Sequence, residues 1–161
     1  MRPTFQSSQF VIINAPIEKV WEYNQDLSNI AMYHPRVNKV DFVSGRQFRD
    51  VGVAYQCHLN DGKHTCIERD IEIIPMEKIV TVFEADTMGL TKLLPDYRVE
   101  STVKKIDNTA TEVKISHYYS SSTVKVWLLN FIIKPKISRE TTDMLNAMKN
   151  KIENEYQIMD Q

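Results

Sequence analysis

Glycine is scarce in this chain, four in 161 residues, and no Pro-, Gly- or Ser-rich tract interrupts it. A linker between domains and a low-complexity segment are therefore not expected, and one domain spans residues 1–161. Such a length buries roughly two thirds of the surface its unfolded form exposes. Cysteine is also sparse: Cys57 and Cys66 are too few for a disulfide scaffold. Neither has His or Cys neighbours at zinc-ligand spacing, so no structural metal is expected, and no cofactor motif occurs. Charge of one sign is lacking as well, 20 Lys+Arg against 21 Asp+Glu giving a net of −1, which excludes a global field for nucleic acid or an anionic membrane. Long apolar runs are missing too. Leu128 to Ile133 is far too short to cross a bilayer, and Met1 to Ser8 holds no apolar signal core, which predicts a soluble, cytoplasmic protein.

What is present begins with a strand-like run, Phe5 to Ile13, that meets Ala15-Pro16-Ile17-Glu18-Lys19-Val20-Trp21. Pro16 suits a first helical position, Glu18 complements the helix dipole in that first turn, and Pro35 stops the helix before it. Two short helices follow the first strand. Six further strand-sized runs then appear: Val37 to Ser44, Val51 to Leu59, His64 to Ile74, Lys78 to Ala85, Tyr97 to Ile106 and Thr111 to Tyr119. Short turns at Asn60-Asp61-Gly62, Pro75-Met76-Glu77 and Asp107-Asn108-Thr109-Ala110 imply antiparallel neighbours.

Alternation within the strands predicts a sheet with one covered face. Ile67, Ile71 and Ile73 share a side with Arg69, and the acidic side with Cys66, Glu68, Asp70 and Glu72 is expected to face water. Tyr97, Val99, Ser101 and Val103 form a covered side, as do Val113, Ile115, His117 and Tyr119. Folding the hairpin over Pro75 to Lys78 pairs Ile74 with Ile79 and sets Arg69 opposite Glu84. Two registers are open at the preceding turn. A two-residue Asp61-Gly62 turn places Cys57 opposite Cys66, close enough for a cross-strand disulfide. A three-residue turn with Gly62 as the bulge sets Tyr55 beside Ile67 and leaves both thiols free; it is preferred because it keeps Tyr55, Cys57 and Leu59 on the Ile67 side.

The cover is C-terminal. Val124, Trp127, Leu128, Phe131 and Ile132 recur at helical spacing, and so do Leu145, Met148, Ile152 and Tyr156. Pro135 lies between them, which predicts a kink or break near Ile133 and a second helix from about Ser138 to Tyr156.

This order of elements, with Ala15-Pro16, Val20-Trp21, Asp26 and His34-Pro35-Arg36-Val37 in place, resembles the helix-grip superfamily of START lipid-transfer domains, birch-pollen-allergen-like proteins and the polyketide cyclase/dehydrase and lipid-transport family. Glu68 to Glu72 followed by Pro75 and Ile79 is similar to the family's central hairpin. The resemblance covers essentially the whole chain and implies an α+β helix-grip fold: a seven-stranded curved antiparallel sheet around a long C-terminal helix, enclosing an apolar cavity. It carries over no invariant catalytic set, because this fold hosts carriers, receptors, cyclases and interaction modules.

If the sheet wraps a cavity, its inward polar groups are the site candidates, since a buried polar side chain needs a partner or costs roughly 1–3 kcal/mol. By alternation these are Tyr55, Arg69, Tyr97, His117 and Tyr119, with Trp127 and Phe131 on the helix side. Arg69 and His117 are the catalytic candidates. A structural Arg69–Glu84 pair stays open against a ligand-orienting Arg69, and His117 is either a base or a donor to a backbone carbonyl. The apolar loop from Asp86 to Asp96 either roofs the cavity, with Met88, Gly89 and Leu90 as lid, or only plugs the barrel end. The leading expectation is a carrier or sensor of a small apolar molecule, lipid-like or aromatic, with a homodimer left open. A cyclase-like enzyme using Arg69, a tyrosine and His117 is the alternative, and a filled interaction module the third.

Overall fold

The computed structural model describes residues 2–120 and 124–159. Seven strands form one antiparallel sheet: β1 (Thr4–Ile13), β2 (Val37–Asp41), β3 (Ala54–Leu59), β4 (Thr65–Ile74), β5 (Lys78–Asp86), β6 (Arg98–Lys105) and β7 (Thr111–Tyr119). Their spatial order is β1-β7-β6-β5-β4-β3-β2. After β1 come α1 (Ile17–Gln25), a 3-10 turn at Leu27–Asn29 and α2 (Ile30–Tyr33). Asp26 caps that turn by accepting from Ser28 N at 2.9 Å, and His34, ahead of Pro35, ends α2. A short α3 (Leu90–Leu93) sits between β5 and β6, and α4 (Val124–Met159) closes the chain. The curved sheet wraps α4, which is the helix-grip arrangement the resemblance implies.

The C-terminal half of α4 presses Leu145, Met148 and Ile152, each at most 3% exposed, into a core shared with Ile13, Val20, Leu27, Tyr33, Val113 and Ile115. Truncating any of these three to alanine costs about 2–5 kcal/mol. Polar ties fix the helix to β1: Lys149 Nζ donates to the Ile12 carbonyl at 2.7 Å, and Glu153 Oε1 accepts from Asn14 N at 2.6 Å. A second, smaller cluster joins Leu94, Tyr97, Tyr119 and Val126.

Four sequence expectations do not hold in the fold. Pro135 does not split the terminal segment, which runs as one helix. Pro135 is exposed, and so is Phe131, the residue four positions earlier whose carbonyl loses its intrahelical donor. The β3–β4 hairpin takes the register that was not preferred: Cys57 stands opposite Cys66 and Tyr55 opposite Glu68. Asp61 enforces it, its carboxylate accepting from Lys63 N and His64 N at 2.9 Å, so the loop spans residues 60–63 and closes on Leu59 N to His64 O at 2.9 Å. Both cysteines are free. Finally, the faces of β4 are inverted. Cys66 and Asp70 are buried and Ile71 is 43% exposed, so the stretch from Cys66 to Asp70 turns its acidic side inward, while Glu72, past the register shift after Asp70, is exposed as expected. The β4–β5 hairpin also differs by one position, pairing Ile73 with Ile79 and Ile74 with Lys78 around a three-residue loop whose Met76 has φ 56°.

Candidate ligand cavity

The inner face of the sheet, α4 and the α3 loop enclose a cavity of about 600 Å³. Its apolar walls come from Val99 and Ile115 on the sheet, Ile133, Ile137, Met144 and Met148 on α4, and Met88, Leu90, Leu93 and Leu94 on the α3 segment. That segment is held by one side chain. The Asp86 carboxylate accepts from the backbone of Met88, Leu90 and Thr91 and from the Thr91 hydroxyl, all at 2.7–2.8 Å. Burial works against ionisation, yet these hydrogen bonds hold the Asp86 carboxyl down at about 2. Gly89, at φ 82°, supplies the left-handed step that starts α3.

Three of the sequence-derived residues, Tyr55, Tyr97 and His117, line this space, as do the lid residues Met88, Gly89 and Leu90. His117 is 5% exposed and both its ring nitrogens are engaged: Tyr97 Oη lies 2.9 Å from Nδ1 and Thr141 Oγ1 lies 2.8 Å from Nε2. The Thr141 hydroxyl gives its proton to the Ile137 carbonyl at 2.7 Å, so it accepts from Nε2–H, and Nδ1 accepts from Tyr97. Burial pushes the His117 pKa down to about 4. The imidazole is thus held neutral in one tautomer. Tyr97 also stacks on Phe83 at 4.7 Å between centroids, and burial pushes its phenol up.

Four candidates lie elsewhere. Arg69 is on the outer face of β4, where Nε and Nη2 grip both oxygens of Glu84 and Nη1 donates to the Gly52 carbonyl at 2.6 Å. The bulge at Glu84 and the inverted β4 produce that pairing. Tyr119 is fully buried but belongs to the second cluster, its hydroxyl donating to Asn130 Oδ1 at 2.8 Å. Trp127 and Phe131, 60% and 77% exposed, lie on the solvent side of α4, their rings edge to face at 6.3 Å. Helical spacing marks a stripe, and the same stripe reads equally well as inner or outer when the helix is apolar on two sides.

The polar groups that line the cavity in their place are Arg49 and Glu68, with Asp70 fully buried as the partner of Arg49. Arg49 reaches in from the irregular segment between β2 and β3, donating to Asp70 Oδ1 at 2.7 Å, to Tyr55 Oη at 3.2 Å and to the Asn24 carbonyl at 3.0 Å. Thr81 donates to the same Asp70 oxygen at 2.7 Å. Tyr55 Oη in turn donates to Glu68 Oε2 at 3.1 Å. Burial pushes the Glu68 carboxyl up, against the pull of the Arg49 charge and of hydrogen bonds from Tyr55 and Cys66. Periodicity could not place Arg49, which sits outside any strand; Asp70 and Glu68 carried the only available signal, as two carboxylates on one side of a strand whose other side is isoleucine-rich.

The model of the family described as polyketide cyclase / dehydrase and lipid transport matches residues 4–153. The chain belongs to that family. Among solved structures, norcoclaurine synthase of Thalictrum flavum is similar at TM-score 0.75 and 14% identity, covering 97% of this chain and 99% of that one. The Zhui aromatase/cyclase of Streptomyces sp. R1128 gives 0.71 and 17%, over 91% and 92%. A START superfamily protein of Mycobacterium smegmatis gives 0.66 and 9%, over 97% and 99%. At these identities the likeness is one of fold. No curated protein sequence matches the chain. Among the described residues no helix is long and apolar enough to cross a membrane.

Proposed function

We propose that this family member binds one small, largely apolar molecule between the sheet and α4, as a carrier or sensor. The observation that carries the reading is the cavity itself: about 600 Å³ behind apolar walls, inside the roughly 300–1,000 Å³ range of small-molecule sites. Polar side chains line it too, the charged Arg36, Asp61, Lys136 and Glu140 among them, and the buried ones are positioned by partners of their own. Tyr97, His117 and Thr141 form one chain of hydrogen bonds, and Arg49, Tyr55 and Glu68 form another. Affinity then comes from apolar area removed from water, and orientation from Tyr55, Glu68 and Tyr97. Met88, Gly89 and Leu90 act as the lid, with Asp86 as its anchor.

The cyclase-like reading leaned on Arg69 and His117. Arg69 spends its guanidinium on Glu84 at the outer surface, and His117 has no free ring nitrogen, which favours the carrier. The filled-module reading needs a solid interior, against the volume found.

The test is titration with a fluorescent apolar probe, anilinonaphthalene sulfonate, alongside native mass spectrometry of the purified chain. One probe per folded chain is expected, and Ser101→Trp, which puts a large ring into the cavity wall, should abolish binding while leaving the cooperative unfolding transition in place. Equal binding by the Ser101→Trp variant would overturn the reading.

A further inference from the structure

We propose that Cys57, Cys66 and Glu68 form a site for a thiophilic divalent cation, zinc foremost, set into the cavity wall with one coordination position open to the cavity. The strand pattern assembles the three donors. Cys57 on β3 stands directly opposite Cys66 on β4, and Glu68 is two residues further along β4, on the same face. The two thiol sulfurs and a Glu68 carboxylate oxygen all lie within 4.8 Å of one another. Linear spacing missed this set because the donors meet across a hairpin.

The one short donor edge fits a tetrahedral centre, and the other two lie within 4.8 Å. Zn–S bonds of about 2.3 Å and Zn–O bonds of about 2.0 Å set the S···O edge at roughly 3.5 Å and the S···S edge at roughly 3.8 Å. Cys66 Sγ and Glu68 Oε1 are 3.5 Å apart. Both thiols are buried, at 1% and 5% exposure, so the site is shielded from bulk water. Its support is in place too. Tyr55 Oη holds the other Glu68 oxygen at 3.1 Å and is itself held by Arg49, which is how outer groups orient a metal-binding carboxylate. Two sulfurs and one oxygen select a borderline-soft ion over calcium or magnesium, which take oxygen ligands.

Three protein donors leave a fourth position. Cys66 and Glu68 belong to the cavity lining, so that position faces the space where a ligand would sit. A carbonyl, hydroxyl or thiol on the bound molecule would complete the tetrahedron. This last role rests on the cavity being a ligand site; metal uptake does not.

The two are separated by testing the metal alone. Cobalt(II), a spectroscopic stand-in for zinc, is added to the reduced full chain without any organic ligand. One cobalt per chain is expected, with a thiolate-to-cobalt charge-transfer band and the intense visible bands of a tetrahedral centre, both erased by stoichiometric zinc. Cys66→Ser and Cys57→Ser should each weaken uptake at least about 100-fold, Glu68→Gln and Tyr55→Phe by about 10- to 100-fold. Absence of the charge-transfer band in the reduced wild-type chain overturns the proposal, whatever the variants do. So does uptake by the double Cys57→Ser, Cys66→Ser variant with unchanged affinity.

Discussion

His117 should make the protein lose stability in mild acid, by an amount its surroundings set. Tyr97 and Thr141 use both ring nitrogens of the neutral form, and burial holds the pKa at about 4 against 6.5 for a free imidazole. A proton added to Nδ1 would turn an acceptor into a donor facing Tyr97 in a buried site. The sign follows. Between pH 6.5 and 4 the unfolded chain binds this proton and the folded chain does not, so stability is complete above 6.5 and falls as pH falls. From these two values the loss is about 1.3 kcal/mol between about pH 7.5 and about pH 5.5, approaching roughly 3 kcal/mol below pH 4. His34, also depressed to about 4 by burial and by the Arg36 charge, acts in the same direction. The assay is urea unfolding at the two pH values, for wild type and His117→Gln. Glutamine offers an acceptor to Tyr97 and a donor to Thr141 without a titrating proton. The variant should lose about 1.3 kcal/mol less between the two conditions, with His34 cancelling in the comparison. Equal losses in both proteins would refute the neutral, doubly bonded imidazole.

Other outcomes are expected from the same contacts. Asp70→Asn leaves the buried Arg49 charge without its carboxylate and should cost about 3–5 kcal/mol in chemical denaturation. Arg69→Ala removes a pair whose two side chains are about a third exposed and screened by solvent, so the unfolding midpoint should stay near that of wild type, and probe affinity should not change. Trp127→Gln and Phe131→Gln, on the solvent side of α4, should shift stability by no more than about 0.5 kcal/mol and leave cavity binding intact.

The overall architecture was legible because turn chemistry and period-two alternation agree along β6 and β7. There Val113, Ile115, His117 and Tyr119 are all inward, as their spacing requires. Of the cavity-lining residues expected from alternation, Tyr97 and His117 follow β6 and β7, whereas Tyr55, on β3, lines the cavity in a register other than the preferred one. Strand β4 is the point of failure. Isoleucines on one side and carboxylates on the other read as core and water, yet Arg49 neutralises Asp70 from a segment with no periodicity, and the Asp61 turn fixes the register that carries Cys66 and Glu68 inward. A buried ion pair between distant segments leaves no local pattern. Helix α4 shows the complementary limit: its first half is apolar on two sides, so Trp127 and Phe131 fit a cavity face by spacing and lie outside by packing.

The central claim is that a ligand enters the space between sheet and helix, and amide proton–nitrogen correlation spectra during probe titration test it most directly. With anilinonaphthalene sulfonate added to saturation, the largest shifts should fall at Leu93, Ser101, Ile115, His117 and Ile137, around the cavity. Shifts confined to Trp127, Leu128, Phe131 and Ile132, the exposed apolar stripe, would contradict it.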